Sequence, residues 1–319
     1  MKNIDIAIIG AGPAGLMSAV FASRQGMNVA VFNSQEQLSN LALAHAVGNH
    51  PGEMSIPGIE LLQKIRDQVE NMKINIIDEK VVSIEKKRSE FSIKTSSNSE
   101  YVSSAIIIAT GQVNRKAGVP GEEKFSGKGV SYCALCDGPL FKNKKVVVIG
   151  GGDTAVTSAI ALKEMGIREL TIIHRRNEFR AEKANIQRME KLGIHKITDV
   201  IIDEIIGDKF VKKIRIKNIK TEKTSEIDTD AVFIEIGYVP TTEITKDLNL
   251  TVDKDGFIRA NSKRETNTEG VFVAGDVTNS QYKILVGAYS DGAVAGINAA
   301  EFVSKSRGMK FMPNIYFNI

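Results

Sequence analysis

A strand, a glycine-rich turn, a helix and a second strand follow one another at two places in the chain, and no other feature constrains the fold as strongly. The first set begins with the apolar run Ile4 to Ile9 and continues with a helical segment from Pro13 to Arg24. The second set has its strands at 146–149 and 170–173 and its helix at 153–165. Such β-α-β units predict parallel sheets with helices packed on them.

The remaining segments complete the two units and place the second inside the first. Short apolar runs predict strands at 81–84, 91–95, 105–109, 212–219 and 231–236. The tail, with Gly270 to Asp276 and a helix over 288–304, is similar to the first unit in its glycine-rich style. We therefore predict an α/β protein with two Rossmann-like three-layer dinucleotide-binding domains, the second inserted into the first. The first domain has two segments, 1–115 and 244–319, and the second covers 116–243.

Composition and charge exclude several classes of function. The length of 319 residues suggests two domains, and the net charge of +4 comes from Lys and Arg interspersed with acids, which argues against nucleic-acid binding. The chain lacks the run of about eighteen apolar residues that a membrane span needs. The first apolar run ends at Gly10, too early for a secretory signal, and two closely spaced cysteines fit a reducing compartment. A cytoplasmic protein is expected.

The first glycine-rich turn has the pattern G-x-G-x-x-G, with Gly10, Gly12 and Gly15 enclosing Pro13 and Ala14. Between a strand and a helix, these glycines permit a tight turn and let backbone N–H groups approach a pyrophosphate at the positive end of the helix. The alternative is a turn that binds nothing. The pattern in this context favours a dinucleotide.

The second turn repeats the pattern with Gly150, Gly152 and Ala155, and Asp153 and Thr154 begin the helix that follows it. This turn predicts a second dinucleotide site in the inserted domain.

Four cationic or ionisable side chains follow the second strand of this unit. They are His174, Arg175 and Arg176, with Arg180 expected within the next helical turn. Guanidinium groups pair bidentately with a 2′-phosphate, so the cluster favours NADPH over NADH. The alternative is a solvated basic helix start.

Cys133 and Cys136 form a C-x-x-C pair that is followed by Asp137. This spacing allows both a short disulfide and a dithiol with one depressed thiol pKa, and the adjacent acid offers a proton donor to a departing thiolate. A zinc half-site is the first alternative, although the four histidines, at 45, 50, 174 and 195, are scattered. An inert buried pair is the second. We interpret the cysteines as a reactive pair.

Together these motifs resemble the low-molecular-weight thioredoxin reductase family over nearly the whole chain. The resemblance is carried by segments in the same order and at similar spacings: 10–15, 109–111, 133–138, 150–155, 174–180 and 270–276. Its most specific part is the position of the cysteine pair, which lies in the second domain just before that domain's glycine turn.

The resemblance implies a homodimer with FAD in the first domain and NADPH in the second. It implies that Cys136 faces the flavin, that Cys133 attacks the partner's disulfide, that Asp276 bonds the ribityl chain and that Asn49 lies near the flavin. The implied FAD positions outside the first glycine turn are Asn33, Gln37, Leu38, Asn49, Val82, Ala109, Thr110, Gly111, Gly275, Asp276, Lys283 and Ile284.

The chain departs from the family pattern at three places. Asn33 stands where an acid usually grips the adenosine ribose, and the Gly-Gly-Gln that usually follows is reduced to a Gln-Leu at 37–38. Lys283 and Ile284 replace an Arg-Gln pair. Thr157 and Ser158 stand where acids often lie beside the nicotinamide.

The expected function is NADPH-dependent reduction of thioredoxin or a thioredoxin-like protein through FAD and the cysteine pair. One alternative is a reductase of the same build that uses another donor, such as NADH or ferredoxin. The other is a flavin redox sensor with little turnover.

Overall fold

The computed structural model describes residues 2–36, 38–44 and 47–313, and the chain divides into two compact units. The first unit comprises residues 1–113 and 239–319, and the second comprises 114–238. The boundaries predicted from the sequence lay after 115 and after 243. The assignment of one cofactor to each unit stays a prediction.

The first unit begins with a parallel sheet and its helices, and the antiparallel strands follow. In chain order the elements are β1 (Lys2–Ile9), α1 (Pro13–Arg24), β2 (Val29–Phe32), α2 (Asn40–Leu43), α3 (Gly58–Asn71), β3 (Asn75–Ile77), β4 (Val81–Lys87), β5 (Glu90–Thr95), β6 (Glu100–Ile108) and β7 (Gln112–Asn114).

The second unit follows, and the chain then returns to the first. The elements are β8 (Val130–Ser131), α4 (Ala134–Asp137), β9 (Lys145–Ile149), α5 (Asp153–Glu164), β10 (Glu169–Ile173), α6 (Lys183–Lys191), β11 (His195–Ile197), β12 (Val200–Gly207), β13 (Val211–Asn218), β14 (Thr224–Asp228), β15 (Ala231–Ile234), β16 (Tyr238–Pro240), β17 (Val271–Val273) and α7 (Leu285–Ser306).

The sheet of the first unit has the order β3-β2-β1-β6-β5-β4, with β17 parallel to β6. Alternate residues of its central strands point to opposite faces, so each face has a core of its own. Ile6 and Ile8 of β1 face a layer that contains α1, α3 and α7, and Ala7 and Ile9 face the layer that contains β4 and β5. The helices cover one face of the parallel strands, and the antiparallel end of the same sheet covers the other, which gives three layers.

The sheet of the second unit is parallel throughout, with the order β11-β10-β9-β15-β8. On one face, Val146 and Val148 pack against α5 and α6, and on the other face Val147 packs against the antiparallel sheet β12-β13-β14. The fold class predicted from the sequence is therefore confirmed in both units.

One local expectation was wrong. Arg180 does not lie in a helix, because α6 begins only at Lys183. The Arg180 N–H donates to Gly151 O at 2.7 Å, and the Glu182 N–H donates to Asp153 Oδ1 at 2.8 Å. These bonds hold the segment against the glycine turn, so its backbone cannot form helical hydrogen bonds.

Membrane-spanning helices and clusters of metal ligands are both absent from the described part of the chain. None of its helices combines the length and apolar character needed to cross a bilayer. Nor do three of its His, Cys, Asp or Glu side chains lie close enough together to hold a metal ion.

Candidate active site

Cys133 and Cys136 form a disulfide in the second unit, with their Cα atoms 5.3 Å apart. Cys133 caps the N-terminus of the short helix α4, where its Sγ accepts a hydrogen bond from the Cys136 N–H at 3.2 Å. Both residues are half-buried, and Leu135 between them is exposed. The two sulfurs are therefore bonded to each other, and the disulfide is partly accessible to solvent.

Asp137 is bonded to the strand that precedes the pair. The Ser131 hydroxyl donates to Asp137 Oδ2 at 2.6 Å, and the Cys133 N–H donates to the same hydroxyl at 3.1 Å. The carboxyl is thus connected to Cys133 through one side chain. Its role as a proton donor stays a prediction.

Gly138 directly follows α4, which carries the disulfide and is called the redox helix below. Its lack of a side chain lets this helix lie close to α5. A Cβ atom at this position would lie 2.8 Å from both Leu162 Cδ2 and Met165 Sδ. A residue larger than glycine would therefore require the ends of these two flexible side chains to move.

A buried carboxylate organises the chain on the other side of the pair. Glu122 is 2% exposed and accepts hydrogen bonds from the Ala117 and Gly118 N–H groups, at 3.0 and 2.7 Å. The Tyr132 hydroxyl, one residue before Cys133, donates to Glu122 Oε1 at 2.6 Å. Burial, followed by this bond, raises the pKa of Tyr132 above its usual range. Sequence reasoning missed Glu122.

Replacing Tyr132 with phenylalanine is expected to lower the free energy of unfolding by about 1.5 to 3 kcal/mol, because the buried carboxylate loses a charge-assisted hydrogen bond. Urea unfolding followed by circular dichroism measures the change. Tyr282→Phe, at a position that is 69% exposed, is the matched control and should change little. Equal effects of the two substitutions would contradict the assignment.

The glycine turn after β9 is closely packed on two sides and open on the third. A Cβ at Gly150 would lie 2.3 Å from Glu235 O, and one at Gly151 would overlap the His174 ring. A Cβ at Gly152 would meet nothing within 4 Å. The turn therefore presents open backbone at the start of α5, where Asp153 and Thr154 are also exposed.

The four residues predicted to bind the 2′-phosphate of NADPH lie beside this turn, one of them buried and three exposed. His174 is 6% exposed, and its ring is 5.3 Å from that of Phe179. Burial first, and then the nearby arginines, lower its pKa, so it is neutral at physiological pH. Arg175, Arg176 and Arg180 are exposed and take part in none of the ion pairs formed by the described residues. Three cations thus face solvent here.

The glycine turn of the first unit is packed just as closely. Gly10 has φ +113°, and a Cβ there would lie 2.4 Å from Ala109 O. A Cβ at Gly15 would lie 1.8 Å from Gly10 O, and one at Gly275 would lie 2.8 Å from Ala14 Cβ. The structure thus brings together predicted FAD residues from β1, α1, β6 and the tail.

Thr110 and Gly111 continue this cluster after β6. The Thr110 hydroxyl donates to Thr241 O at 2.5 Å, and the Thr241 N–H donates to Gly111 O at 3.1 Å. These bonds join the two segments of the first unit beside the glycine turn.

Asp276 is surrounded by polar groups from three segments. Its Oδ2 accepts from Gln112 Nε2 at 3.3 Å, and the Asn40 side chain also bonds to it. Lys283 Nζ donates to the main-chain oxygens of Asp276, at 3.1 Å, and of Thr278. Burial raises the pKa of Asp276 and lowers that of Lys283. Lys283 thus holds the loop that carries Asp276, whereas Asn40 is a site residue that sequence reasoning missed.

A carboxylate lies next to Asn33 although the expected acid is absent. Asn33 Nδ2 donates to Asp78 Oδ1 at 2.7 Å, and Arg66 Nη2 donates to Asp78 Oδ2 at 2.9 Å. Burial raises the pKa of Asp78, but the bonds from Arg66 and Asn33 bring it below its usual range. Asp78 directly follows the strand β3. An acid at the end of a parallel strand was the feature of the sequence from which this site residue could have been predicted.

Three other predicted FAD residues have exposed side chains, and their role stays a prediction. Leu38 is 58% exposed, and Val82, on β4, is 48% exposed. Ile284 is 47% exposed at the start of α7. Gln37 lies outside the described residues.

Asn49 is exposed, and the residue after it has an unpaired ring nitrogen. His50 Nδ1 and the Tyr289 hydroxyl are buried atoms with no hydrogen-bond partner among the described residues, and the two rings are 5.8 Å apart. These polar atoms lie in the first unit next to the residue predicted near the flavin.

Two dinucleotide-type folds in one chain, with a disulfide one strand before the second glycine turn, define a dinucleotide-dependent disulfide oxidoreductase. The family model described as pyridine nucleotide-disulphide oxidoreductase matches residues 4–292. A thioredoxin reductase of Treponema pallidum (strain Nichols) is 38% identical, over 94% of this chain and 97% of its own. The chain therefore belongs to the low-molecular-weight thioredoxin reductase family of these oxidoreductases.

Solved structures agree with this assignment. The thioredoxin reductase of Lactococcus lactis (FR conformation) is 36% identical, with a TM-score of 0.80 over 95% of this chain and 99% of that one. A ferredoxin-flavin thioredoxin reductase from Clostridium acetobutylicum is 35% identical, with a TM-score of 0.53 over 96% of this chain and 99% of that one. The two relatives are nearly equal in identity to this chain, and the name of the second alone includes ferredoxin.

Proposed function

We propose that the chain is a thioredoxin-disulfide reductase that moves electrons from NADPH, through FAD, to the Cys133–Cys136 disulfide and on to thioredoxin or a thioredoxin-like protein. The observation that carries this proposal is the half-buried disulfide on α4, one strand before a glycine turn that is flanked by three arginines with no ion-pair partner among the described residues. The proposal also includes a homodimer and, from the two closely spaced cysteines, a cytoplasmic location.

The residues of the first unit fit FAD. Gly12 presents open backbone beside the packed Gly10 and Gly15, as a diphosphate at a helix start requires. Asp276 has a buried carboxyl suited to a ribityl hydroxyl, and Asn33 with Asp78 presents an amide and a carboxylate for the adenosine ribose. When bound, a flavin accepts a hydride and delivers electrons to a disulfide.

The chain's own residues perform the thiol chemistry. Once the disulfide is reduced, Cys133 attacks the disulfide of the partner protein, and Cys136 then resolves the mixed disulfide that this attack forms. Asp137, connected to Cys133 through Ser131, is the side chain that passes a proton to the departing thiolate.

Replacing both Arg175 and Arg176 with alanine is expected to raise KM for NADPH by about a hundredfold or more, since each charge-assisted bond to a phosphate contributes roughly 1.5 to 3 kcal/mol and two are lost. KM for NADH should be unchanged, because NADH lacks the 2′-phosphate. Arg168→Ala, at an exposed arginine paired with Glu169, is the matched control. Equal rises in KM for both dinucleotides would contradict a 2′-phosphate site.

Anaerobic titration of the purified protein tests the function as a whole. We expect a yellow protein whose flavin absorbance bleaches within milliseconds to seconds on mixing with NADPH, and whose turnover with thioredoxin exceeds about one per second. Parallel mixing with NADH and reduced ferredoxin compares the donors. Bleaching by ferredoxin alone would replace NADPH as the donor, and a protein that takes up no FAD would refute the proposal.

A further inference from the structure

Glu235 is a buried acid at the edge of the parallel sheet where the second glycine turn lies. It is 8% exposed and directly follows β15. Its N–H donates to Ile149 O at 2.8 Å, which places it opposite Gly150. In the sequence it is the one acid within the apolar run 231–236. The residues assigned to the proposed function do not include it.

The Glu235 carboxyl connects α5 to the start of the redox helix. The Ser158 hydroxyl donates to Glu235 Oε1 at 3.1 Å, and the Ala134 N–H also bonds to the carboxyl. Ala134 is the residue after Cys133 and the first residue of α4. The carboxyl therefore accepts a hydrogen bond from the amide that follows Cys133, whose sulfur is the attacking nucleophile in the proposed function.

The charged groups on the elements packed around Glu235 bond elsewhere. On α4, Asp137 accepts from Ser131; on α5, Asp153 accepts from the Glu182 N–H, Lys163 donates to main-chain oxygens, and Glu164 pairs with Arg188. Burial raises the pKa of Glu235 to about 7, although the bonds from Ser158 and Ala134 oppose the rise. None of the described charged side chains contributes to that shift.

We propose that Glu235 is a positioning residue for Cys133, whose carboxylate takes up a proton as the disulfide opens and so lets Cys133 remain a thiolate. A negative charge on the buried Glu235 carboxyl, which is bonded to the amide after Cys133, repels a negative charge on the Cys133 sulfur, so forming one favours protonation of the other. The inference rests on the proposed redox role of the cysteine pair.

The atoms and electrons balance. The Cys133–Cys136 bond breaks on receiving two electrons from the reduced flavin of the proposed path, and two protons enter with them. One proton goes to the Cys136 sulfur and the other to the Glu235 carboxylate. The Cys133 sulfur keeps the electron pair as a thiolate, so the net charge of the three groups stays at −1 throughout.

Single-thiol variants of the flavin-bound protein test this coupling. In Cys136→Ser, Cys133 is the only thiol, and the pH dependence of its alkylation by iodoacetamide, followed by mass spectrometry, reports its ionisation. We expect a broad, two-step profile with Glu235 present. Adding Glu235→Gln should give a single step whose midpoint lies about one pH unit lower, a tenfold change in ionisation constant typical of one partly buried charge.

The shape of the difference separates coupling from a structural effect. The two profiles should coincide below about pH 6, where Glu235 is protonated and resembles glutamine, and diverge above it. Asp137→Asn in the Cys136→Ser background should keep the two-step profile, and Ser158→Ala should keep it while moving the lower step to higher pH. Superimposable profiles, or a uniform shift at every pH, would overturn the inference.

The coupling and the electron path fail in different measurements. Alkylation of Cys133 requires no turnover. If Glu235→Gln removed the second step of the alkylation profile and no donor bleached the flavin, the coupling would stand and the proposed function would be refuted. Normal bleaching and turnover with superimposable alkylation profiles would do the reverse.

Discussion

Replacing Cys136 with serine is expected to lower NADPH-driven disulfide reduction by about a thousandfold or more, because the residual hydroxyl cannot form or break a bond to sulfur at a useful rate. Flavin content and thermal stability should change little, since the side chain is half-buried and nearly isosteric with serine. Reduction of thioredoxin coupled to insulin measures the rate, and the visible spectrum measures the flavin.

Cys133→Ser is the companion variant and should lose the same activity. The two variants differ in what remains: each leaves one thiol, and only Cys133 is proposed to capture the partner protein. A mixed disulfide with thioredoxin should therefore accumulate in Cys136→Ser and not in Cys133→Ser. Turnover in either variant within tenfold of the unmodified protein would show that electrons bypass the pair.

Replacing Gly15 with alanine is expected to destabilise the first unit by about 3 kcal/mol or more, because the new Cβ would lie 1.8 Å from Gly10 O and only the backbone can move away. A loss of that size lowers the melting temperature by roughly 6 to 12 °C. Scanning calorimetry of the flavin-free protein measures it, and the purified variant should be depleted of FAD.

Gly12→Ala provides the matched control within the same turn. The nearest side chain to its added Cβ is Ser39, at 3.7 Å, and its φ of −78° suits any residue. The flavin-free protein should keep its melting temperature, whereas FAD affinity should fall because a methyl group stands where the diphosphate approaches. Equal destabilisation by the two substitutions would contradict the packing described.

Much of the architecture could be predicted from local patterns. The helix predicted over Pro13–Arg24 has those bounds in the structure, and the strand predicted at 170–173 begins one residue earlier, at Glu169. Buried parallel strands are nearly continuous apolar runs and glycine turns mark their ends, so both signals are local. The helix expected around Arg180 failed because bonds to Gly151 and Asp153, distant in sequence, hold that segment.

The candidate site was predicted less completely than the fold. The cysteine pair and both glycine turns are short motifs whose spacing is itself the signal. Asn40, Asp78 and Glu235 have no such motif, because each reaches its neighbours from a different element: Asn40 reaches Asp276, Asp78 reaches Asn33, and Glu235 reaches Ala134. Two of these acids lie beside positions where the family pattern predicts an acid. Asp78 lies beside Asn33, and Glu235 lies beside Ser158.

The sequence by itself determined the duplicated dinucleotide fold, the order of its elements and the identity of the redox pair, because these depend on periodicity and on residues a few positions apart. Only the tertiary structure decided which polar groups surround that chemistry. Parallel strands bring their carboxyl ends to one edge whatever their distance along the chain, so Glu235, about a hundred residues after Cys133, bonds to the amide beside it.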